Sequence, residues 1–182
     1  MEIDKNQLSV LRENNRRSHE RVRFYIQEAL FLLMEAKDYD KIKITDIIKR
    51  AGVSRSAFYR SYYWKKDILV DMCTRLALEE DRIKATDDVM KNWEYLFEHI
   101  KRHERFYTLM EKNGLTEFLL DDMNKACFGL NEDTFEPILW NGMIYNTCRE
   151  WIRNGMKETP SEMTGFIKRQ LKRLEIKLSA IQ

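Results

Sequence analysis

Helix-breaking residues are scarce along this chain, and their scarcity limits the fold more than any other property of the sequence. Only 2 prolines and 6 glycines occur among 182 residues. Proline interrupts helices because it lacks an amide donor, and glycine disfavours helix interiors because of its conformational freedom. The sequence therefore predicts an all-α protein of about nine helices, with enough length for one large or two small domains.

The spacing of apolar residues places the helices. It predicts a polar, frayed stretch through residue 15 and a first helix over about 17–37. Further helices are predicted over 44–51, 55–61, 65–83, 87–99, 101–112, 115–128, 135–156 and 161–178. We expect a three-helix domain over residues 1–64 and a second helical domain over 65–182, with the 65–83 helix shared between the two modules.

Two short helices around a tight turn are predicted within ITDIIKRAGVSRSAFYRSYYWKKDILV, residues 44–70. Gly52 can adopt the left-handed conformation that ends a helix. Ser54 is placed to cap the next helix by accepting from a backbone N–H near Ala57. Phe58 and Tyr62 would face inward. This pattern is typical of a helix-turn-helix, which places its second helix in a DNA major groove.

The charge distribution favours the same interpretation. Residues 1–70 carry 15 Lys and Arg against 10 Asp and Glu, whereas the remainder carries 17 against 20. Arg55, Ser56, Tyr59 and Arg60 would project away from the inward residues as donors for phosphates and base edges. The helix beginning at Lys65 would add a positive dipole end for a phosphate. The alternative is a solvated basic face on a small helical subdomain.

The segment GVSRSAFYRSYYWKKDIL resembles the signature of the tetracycline-repressor (TetR) family of bacterial transcriptional regulators. TDIIKRA fits the first helix of that motif and residues 17–37 fit the opening helix of the family, so the resemblance covers about residues 17–70. It implies a ligand-responsive DNA-binding regulator, a repressor rather than an activator, that acts as a homodimer on a palindromic double-stranded DNA operator. It also implies a set of DNA-contacting residues: Lys43, Thr45, Ser54, Arg55, Ser56, Ala57, Tyr59, Arg60, Ser61 and Lys65.

Four residues depart from the usual family pattern. Lys43 stands where a capping threonine is common, and an ammonium cannot accept that hydrogen bond. Ala57, Ser61 and Trp64 replace a threonine, a histidine and a small polar residue. These departures bear on operator affinity and half-site sequence.

A second stretch, GMIYNTCREWIRNGMKETPSEM, resembles one branch of the family, which includes regulators of dihydroxyacetone metabolism. The matching positions are Gly142, Trp151, Asn154, Gly155 and Pro160. This likeness does not predict the same ligand.

The resemblance also implies that the last two helices form a dimer interface. The candidates are apolar residues of 135–156 and 161–178: Ile144, Cys148, Trp151, Ile152, Phe166, Ile167, Leu171 and Leu174. Some of them must instead fill the core of the chain itself.

A pocket for an unknown small-molecule effector is predicted among the central helices. Its candidate lining is aromatic and methionine-rich: Trp93, Phe97, Phe106, Tyr107, Met110, Phe118, Trp140 and Tyr145. Such residues line apolar cavities, but they also fill ordinary helical cores.

Other functions find little support in the sequence. Cys73, Cys127 and Cys148 show no zinc spacing, and His99 and His103 have no obvious third ligand, so we expect no metal and no cofactor. Catalytic motifs are missing, which argues against an enzyme. Without a signal core or spanning segment, a cytoplasmic protein with no membrane partner is expected. The alternative function is a helical protein-interaction module on the same scaffold.

Overall fold

The computed structural model describes residues 5–81, 88–127 and 135–179. Within these ranges the chain forms nine α-helices, one short 3-10 helix and no strand, which confirms the predicted all-α class. The α-helices are α1 (Lys5–Ala36), α2 (Ile44–Ala51), α3 (Arg55–Ser61), α4 (Lys65–Asp81), α5 (Val89–Arg102), α6 (Glu104–Lys112), α7 (Glu117–Cys127), α8 (Phe135–Arg153) and α9 (Pro160–Ser179). None of the helices in the described ranges is long and apolar enough to cross a membrane.

The chain divides into two compact units, Met1–Leu76 and Ala77–Gln182. The division falls inside α4, whereas the domain boundary expected from the sequence lies at the first residue of the same helix. The first unit therefore contains the three-helix segment together with the first turns of α4.

The first unit packs α2 and α3 against α1. Its core consists of fully buried apolar side chains from four helices: Ile26, Leu30, Met34, Ile47, Phe58, Ile68 and Leu69. On α1 these positions recur at three- and four-residue spacing, which puts them on one face of the helix.

Helix α1 begins at Lys5, so the prediction that the chain is frayed through residue 15 is wrong for residues 5–15. Salt bridges between neighbouring turns support this part of the helix: Arg16 contacts Glu13 and Glu20 at 2.9 Å each, and Arg17 contacts Glu13 at 2.8 Å. Hydrogen bonds from Arg16 and Arg17 lower the pKa of Glu13 to about 2. The prediction placed helices by the spacing of apolar residues. It missed this part of α1 because ion pairs between adjacent turns, and not an apolar stripe, support the helix here.

The second unit has its own core, in which α5 packs along α9. Buried residues of α5, α8, α9 and the turn between α8 and α9 form one cluster: Trp93, Phe97, Ile100, Cys148, Trp151, Ile152, Met156, Met163 and Ile167. Phe97 lies at its centre, with its ring centroid 5.5 Å from that of Trp93 and 5.2 Å from that of Trp151. Aromatic pairs at these separations add to the stabilisation from buried area.

Helix α8 ends at Arg153, earlier than the predicted residue 156. Gly155 and Met156 both have positive φ, 78° and 47°. The Gly155 N–H donates to the Ile152 carbonyl and the Met156 N–H to the Trp151 carbonyl, each at 2.9 Å, which closes the last turn.

Helix α9 starts at Pro160 behind a capping box formed by Thr159 and Glu162. The Glu162 N–H donates to Thr159 Oγ1 at 3.2 Å, and the Thr159 N–H donates to the Glu162 carboxylate at 2.7 Å. Thr159 is therefore the N-cap residue of α9.

Candidate nucleic-acid interface

The turn between α2 and α3 has the geometry that the sequence predicts. Gly52 adopts the left-handed conformation, with φ 66° and ψ 27°, and its N–H donates to the Ile48 carbonyl. Ser54 caps α3, since its Oγ accepts from the Ala57 N–H at 3.1 Å. These two residues fix the direction in which α3 leaves the turn.

Helix α3 is anchored on one side and exposed on the other. Phe58 is fully buried, and Tyr62, which ends the helix, is 4% exposed. Arg55, Ser56 and Arg60 are exposed.

Tyr59 shares the exposed side of α3. It is 47% exposed and packs the edge of its ring against Phe58 at a centroid distance of 5.3 Å. Helix α3 therefore exposes two guanidinium groups, a serine hydroxyl and a phenol, which are donors for phosphate oxygens and base edges.

Two smaller members of the predicted set, Ala57 and Ser61, are half-buried. The Ser61 hydroxyl donates to the Ala57 carbonyl at 3.4 Å, within its own helix. These two short, half-buried side chains are better placed to pack beneath the exposed residues of α3 than to contact a ligand themselves.

The start of α2 exposes Lys43 and Thr45. Lys43 occupies the N-cap position without a side-chain capping hydrogen bond, as expected of an ammonium group. Asp46 compensates, because its carboxylate accepts from the Lys43 N–H at 3.2 Å and from Lys37 Nζ at 2.6 Å. The hydrogen bond from Lys37 is the main cause of a lowered pKa at Asp46.

Lys65 points into its own domain. Its Nζ donates to the carbonyls of Tyr39 and Ile42 at 2.6 and 3.2 Å and lies 4.1 Å from the centre of the Tyr39 ring. Two of the three ammonium donors are thus used within the chain. The structure gives Lys65 a role in holding residues 39–42, beside the phosphate contact that the family resemblance implies.

The start of α4 is also occupied by the chain itself. The Asp67 carboxylate accepts from the N–H groups of Tyr63 and Trp64 at 3.0 and 2.8 Å. The sequence predicts a phosphate contact at the positive dipole end of this helix, and in the structure the Asp67 carboxylate accepts from the N–H groups that precede the helix. The side chains of Tyr63 and Trp64 are 73% and 70% exposed.

A polar network behind α3 joins it to α1 and α4. Tyr62 Oη donates to Asp71 at 2.6 Å, and Gln27 Nε2 donates to Tyr62 Oη and Asp71 at 3.0 and 2.6 Å. Arg23 pairs with the same carboxylate. Burial opposes ionisation of Asp71, but the hydrogen bonds from Arg23 and Tyr62 outweigh it and lower its pKa. The individual residues were visible in the sequence, but their meeting depends on the packing of three helices.

The predicted dimer residues divide into buried and exposed members. Cys148, Trp151, Ile152 and Ile167 are at most 7% exposed and belong to the core of the single chain, so they are unsuited to contact a second copy. This corrects four of the eight candidates, whose helical spacing is the same for a core and for an interface. Ile144 and Leu171 pack partly against that core. Phe166 and Leu174 are 43% and 52% exposed.

The predicted effector-pocket residues divide in a similar way. Trp93 and Phe97 fill the α5–α8–α9 core. Phe106, Met110 and Tyr145 are buried, and the remaining three, Tyr107, Phe118 and Trp140, are half-buried. Among the described residues, none offers a hydrogen bond to the buried hydroxyl of Tyr145.

His99 and His103 lie with their ring centroids 4.7 Å apart, and His99 Nε2 is 3.1 Å from Tyr107 Oη. Across the described ranges, no three His, Cys, Asp or Glu side chains are grouped as a metal site would require.

Comparison with known proteins agrees with the geometry of the first unit. Residues 26–72 match the family described as bacterial regulatory proteins, tetR family. The matched range contains the Gly52 turn, all of α3 and the Asp71 network apart from Arg23. The family match thus covers the helix-turn-helix segment of the first unit.

The fold is similar to that of a solved TetR transcriptional regulator from Streptococcus agalactiae 2603V. The superposition has a TM-score of 0.64 at 16% sequence identity and covers 85% of this chain and 95% of the other. No curated protein sequence matches this chain. The structural match shows a similar fold, and neither match supports the narrower likeness to the dihydroxyacetone branch.

Proposed function

We propose that this chain, with its TetR-family N-terminal domain, is a transcriptional regulator that binds an operator in duplex DNA through α3. The observation that carries the proposal is the exposure of Arg55, Ser56, Tyr59 and Arg60 on α3, while Phe58 anchors the helix in the core. A side chain that forms a bidentate contact with a base edge discriminates by about 1–3 kcal/mol.

A homodimer would place two copies of α3 in successive major grooves of a palindromic site. The corrected candidates for the interface are exposed apolar residues of α8 and α9: Leu139, Phe166 and Leu174. Apolar side chains at 74%, 43% and 52% exposure on the last two helices favour burial against a second copy.

Ligand response would proceed through α4, which begins beside α3 and continues past the division between the two units. The Asp71 network couples the first turns of α4 to the end of α3, so a displaced α4 would displace the reading helix. The buried Tyr145 hydroxyl is a polar group that an effector of the second unit could satisfy. Release of DNA by such an effector would make the protein a cytoplasmic repressor.

The test is selection of the purified full-length chain against random duplex DNA, followed by sequencing of the retained duplexes. We expect an inverted repeat with half-site centres about one helical turn apart. Binding to the selected duplex should weaken steeply with salt. Arg55→Ala should abolish enrichment while the helix content measured by circular dichroism is retained.

The alternative function is a helical protein-interaction module. Exposed aromatic side chains at Tyr63 and Trp64 favour it, since interfaces between proteins are enriched in such residues. A folded dimer that enriches no duplex, even at low salt, would contradict direct DNA reading and favour this alternative.

A further inference from the structure

The N-terminal half of α1 lies alongside the recognition helix. The face of α1 that is buried from Ile26 onward continues toward the N-terminus through Val22, His19, Ser18 and Asn15, because residues three and four apart share a helix face. Val22 is half-buried, whereas the three polar residues are exposed.

These residues form a notch with α3. Asn15, Ser18, His19 and Val22 line one side of it, and Ala57 and Arg60 line the other. The cavity has a volume of about 150 Å³. Pockets for drug-sized ligands are about 300–1,000 Å³, so this notch suits a small group better than an effector molecule.

The chemistry of the notch is that of hydrogen-bond donors. A guanidinium, an amide, a hydroxyl and an imidazole all offer N–H or O–H groups. The carboxylates of this part of α1, Glu13 and Glu20, lie on another face of the helix, where they pair with Arg16 and Arg17. Donors without a facing carboxylate are what a phosphate oxygen requires.

We propose that Asn15, Ser18 and His19 of α1 form, with Arg60 of α3, a phosphate-binding notch that takes a backbone phosphate of the operator beside the groove read by α3. This inference rests on the proposed DNA binding. It adds a contact outside the helix-turn-helix and gives the N-terminal extension of α1 a function. The contact positions the protein on the duplex and carries no base specificity of its own.

Adjacent asparagines provide a matched test. Asn15 lines the notch, whereas Asn14 is exposed one residue, about 100° of helix rotation, away. Asn15→Glu and Asn14→Glu change the net charge equally. Binding of the two full-length variants to the selected duplex would be measured by fluorescence anisotropy across a salt series. Circular dichroism would establish that both remain folded.

We expect Asn15→Glu to weaken binding by about tenfold or more and to reduce the salt slope by about 0.9 per lost phosphate contact. Asn14→Glu should weaken binding less than about threefold, through long-range repulsion alone. Equal losses in the two variants, with the wild-type chain bound, would overturn the notch and leave the proposed function intact. A wild-type chain that binds no duplex would overturn both.

The notch could bind free inorganic phosphate instead of a backbone phosphate of DNA. Thermal unfolding in phosphate and in chloride at equal ionic strength distinguishes it. Phosphate stabilises folded proteins in general because it is excluded from their surface, so a DNA contact predicts the same difference in Tm between the two salts for the wild-type chain and for Asn15→Glu. A phosphate-dependent rise in the wild-type Tm that Asn15→Glu abolishes would assign the notch to free phosphate and overturn the contact with DNA.

Discussion

At the scale of single residues, two buried tyrosines have opposite hydrogen-bonding environments. Tyr62 Oη takes part in hydrogen bonds with Asp71 and Gln27. Tyr145 is also buried, yet its hydroxyl has no hydrogen-bond partner among the described residues. The same substitution, tyrosine to phenylalanine, should therefore have opposite consequences at the two positions.

We expect Tyr62→Phe to lower the free energy of unfolding by about 1–3 kcal/mol, because its partners lose a hydrogen bond in a buried place. Tyr145→Phe should leave it unchanged or raise it slightly, because it removes a buried hydroxyl that no described residue satisfies. Urea unfolding at neutral pH measures both. An equal loss at Tyr145 would show that its hydroxyl is satisfied in the folded protein and would remove it as a candidate effector contact.

Lys65 is a second residue whose role can be measured. Its ammonium bonds to the Tyr39 and Ile42 carbonyls, so Lys65→Met should destabilise the chain by about 1–3 kcal/mol, as expected for hydrogen bonds to a charged group. Lys49→Met, at an exposed position of α2, is the control and should change stability by less than about 0.5 kcal/mol.

The salt dependence of operator binding separates the two roles of Lys65. If Lys65 mainly holds residues 39–42 in place, the slope of the logarithm of the operator-binding constant against the logarithm of the salt concentration should be unchanged in Lys65→Met. Binding is measured below the temperature of the unfolding transition. A slope reduced by about 0.9 would show that Lys65 contacts a phosphate directly.

At the scale of helices, Asp71 holds α1, α3 and α4 together through one carboxylate. Its pKa is lowered in the folded protein, so the ionised form stabilises the fold. This contribution is present above the usual aspartate pKa of about 3.9 and is lost as the pH falls through the lower folded value. Asp71→Asn should cost about 1–3 kcal/mol at pH 7.

The difference in unfolding free energy between wild type and Asp71→Asn should stay constant from pH 7 to about 5 and shrink below about pH 4. Urea unfolding over this pH range measures it. Glu162→Gln is a control with a lowered pKa in the other unit, on a carboxylate that caps only α9. A difference for Asp71→Asn that does not change with pH would contradict the role assigned to its charge.

The helices also show how far local sequence determines structure. The bounds of α2 and α3 agree with the prediction, because Gly52 and Ser54 mark the turn with local chemistry that needs no tertiary contact. The start of α1 was missed because residues 5–21 form a helix without a continuous apolar stripe. The notch between α1 and α3 depends on that missed helix, so it could not be predicted from periodicity.

At the scale of the whole molecule, the sequence could not separate core from interface. Trp151 and Phe166 both lie on apolar stripes at helical spacing, yet Trp151 is 2% and Phe166 43% exposed. An apolar stripe on a helix indicates that this face is buried, but it does not show whether the same chain or a second copy buries it. The separation requires the packing of α5 along α9, which covers Ile167 and leaves Phe166 in solvent.

The exposed stripe leads to a prediction about assembly. Phe166→Glu and Leu174→Glu would each place a charge where an apolar side chain is expected to meet a second copy. We expect each to raise the dimer Kd by more than about tenfold, or about 1.4 kcal/mol, with the monomer still folded. Sedimentation velocity across a concentration series measures the change. The operator affinity should fall in parallel, because two linked reading helices bind more tightly than one.

Two control variants make the assembly result specific. Tyr25→Glu alters an equally exposed aromatic residue of α1, 51% against 52% for Leu174, and should leave the dimer intact. Trp151→Ala should instead lower the free energy of unfolding by about 3–5 kcal/mol, as expected for an aromatic residue inside a core. If Phe166→Glu and Leu174→Glu remain as dimeric as Tyr25→Glu, the interface lies on another surface. A dimer lost in Trp151→Ala without loss of stability would return that residue to the interface, from which its burial now excludes it.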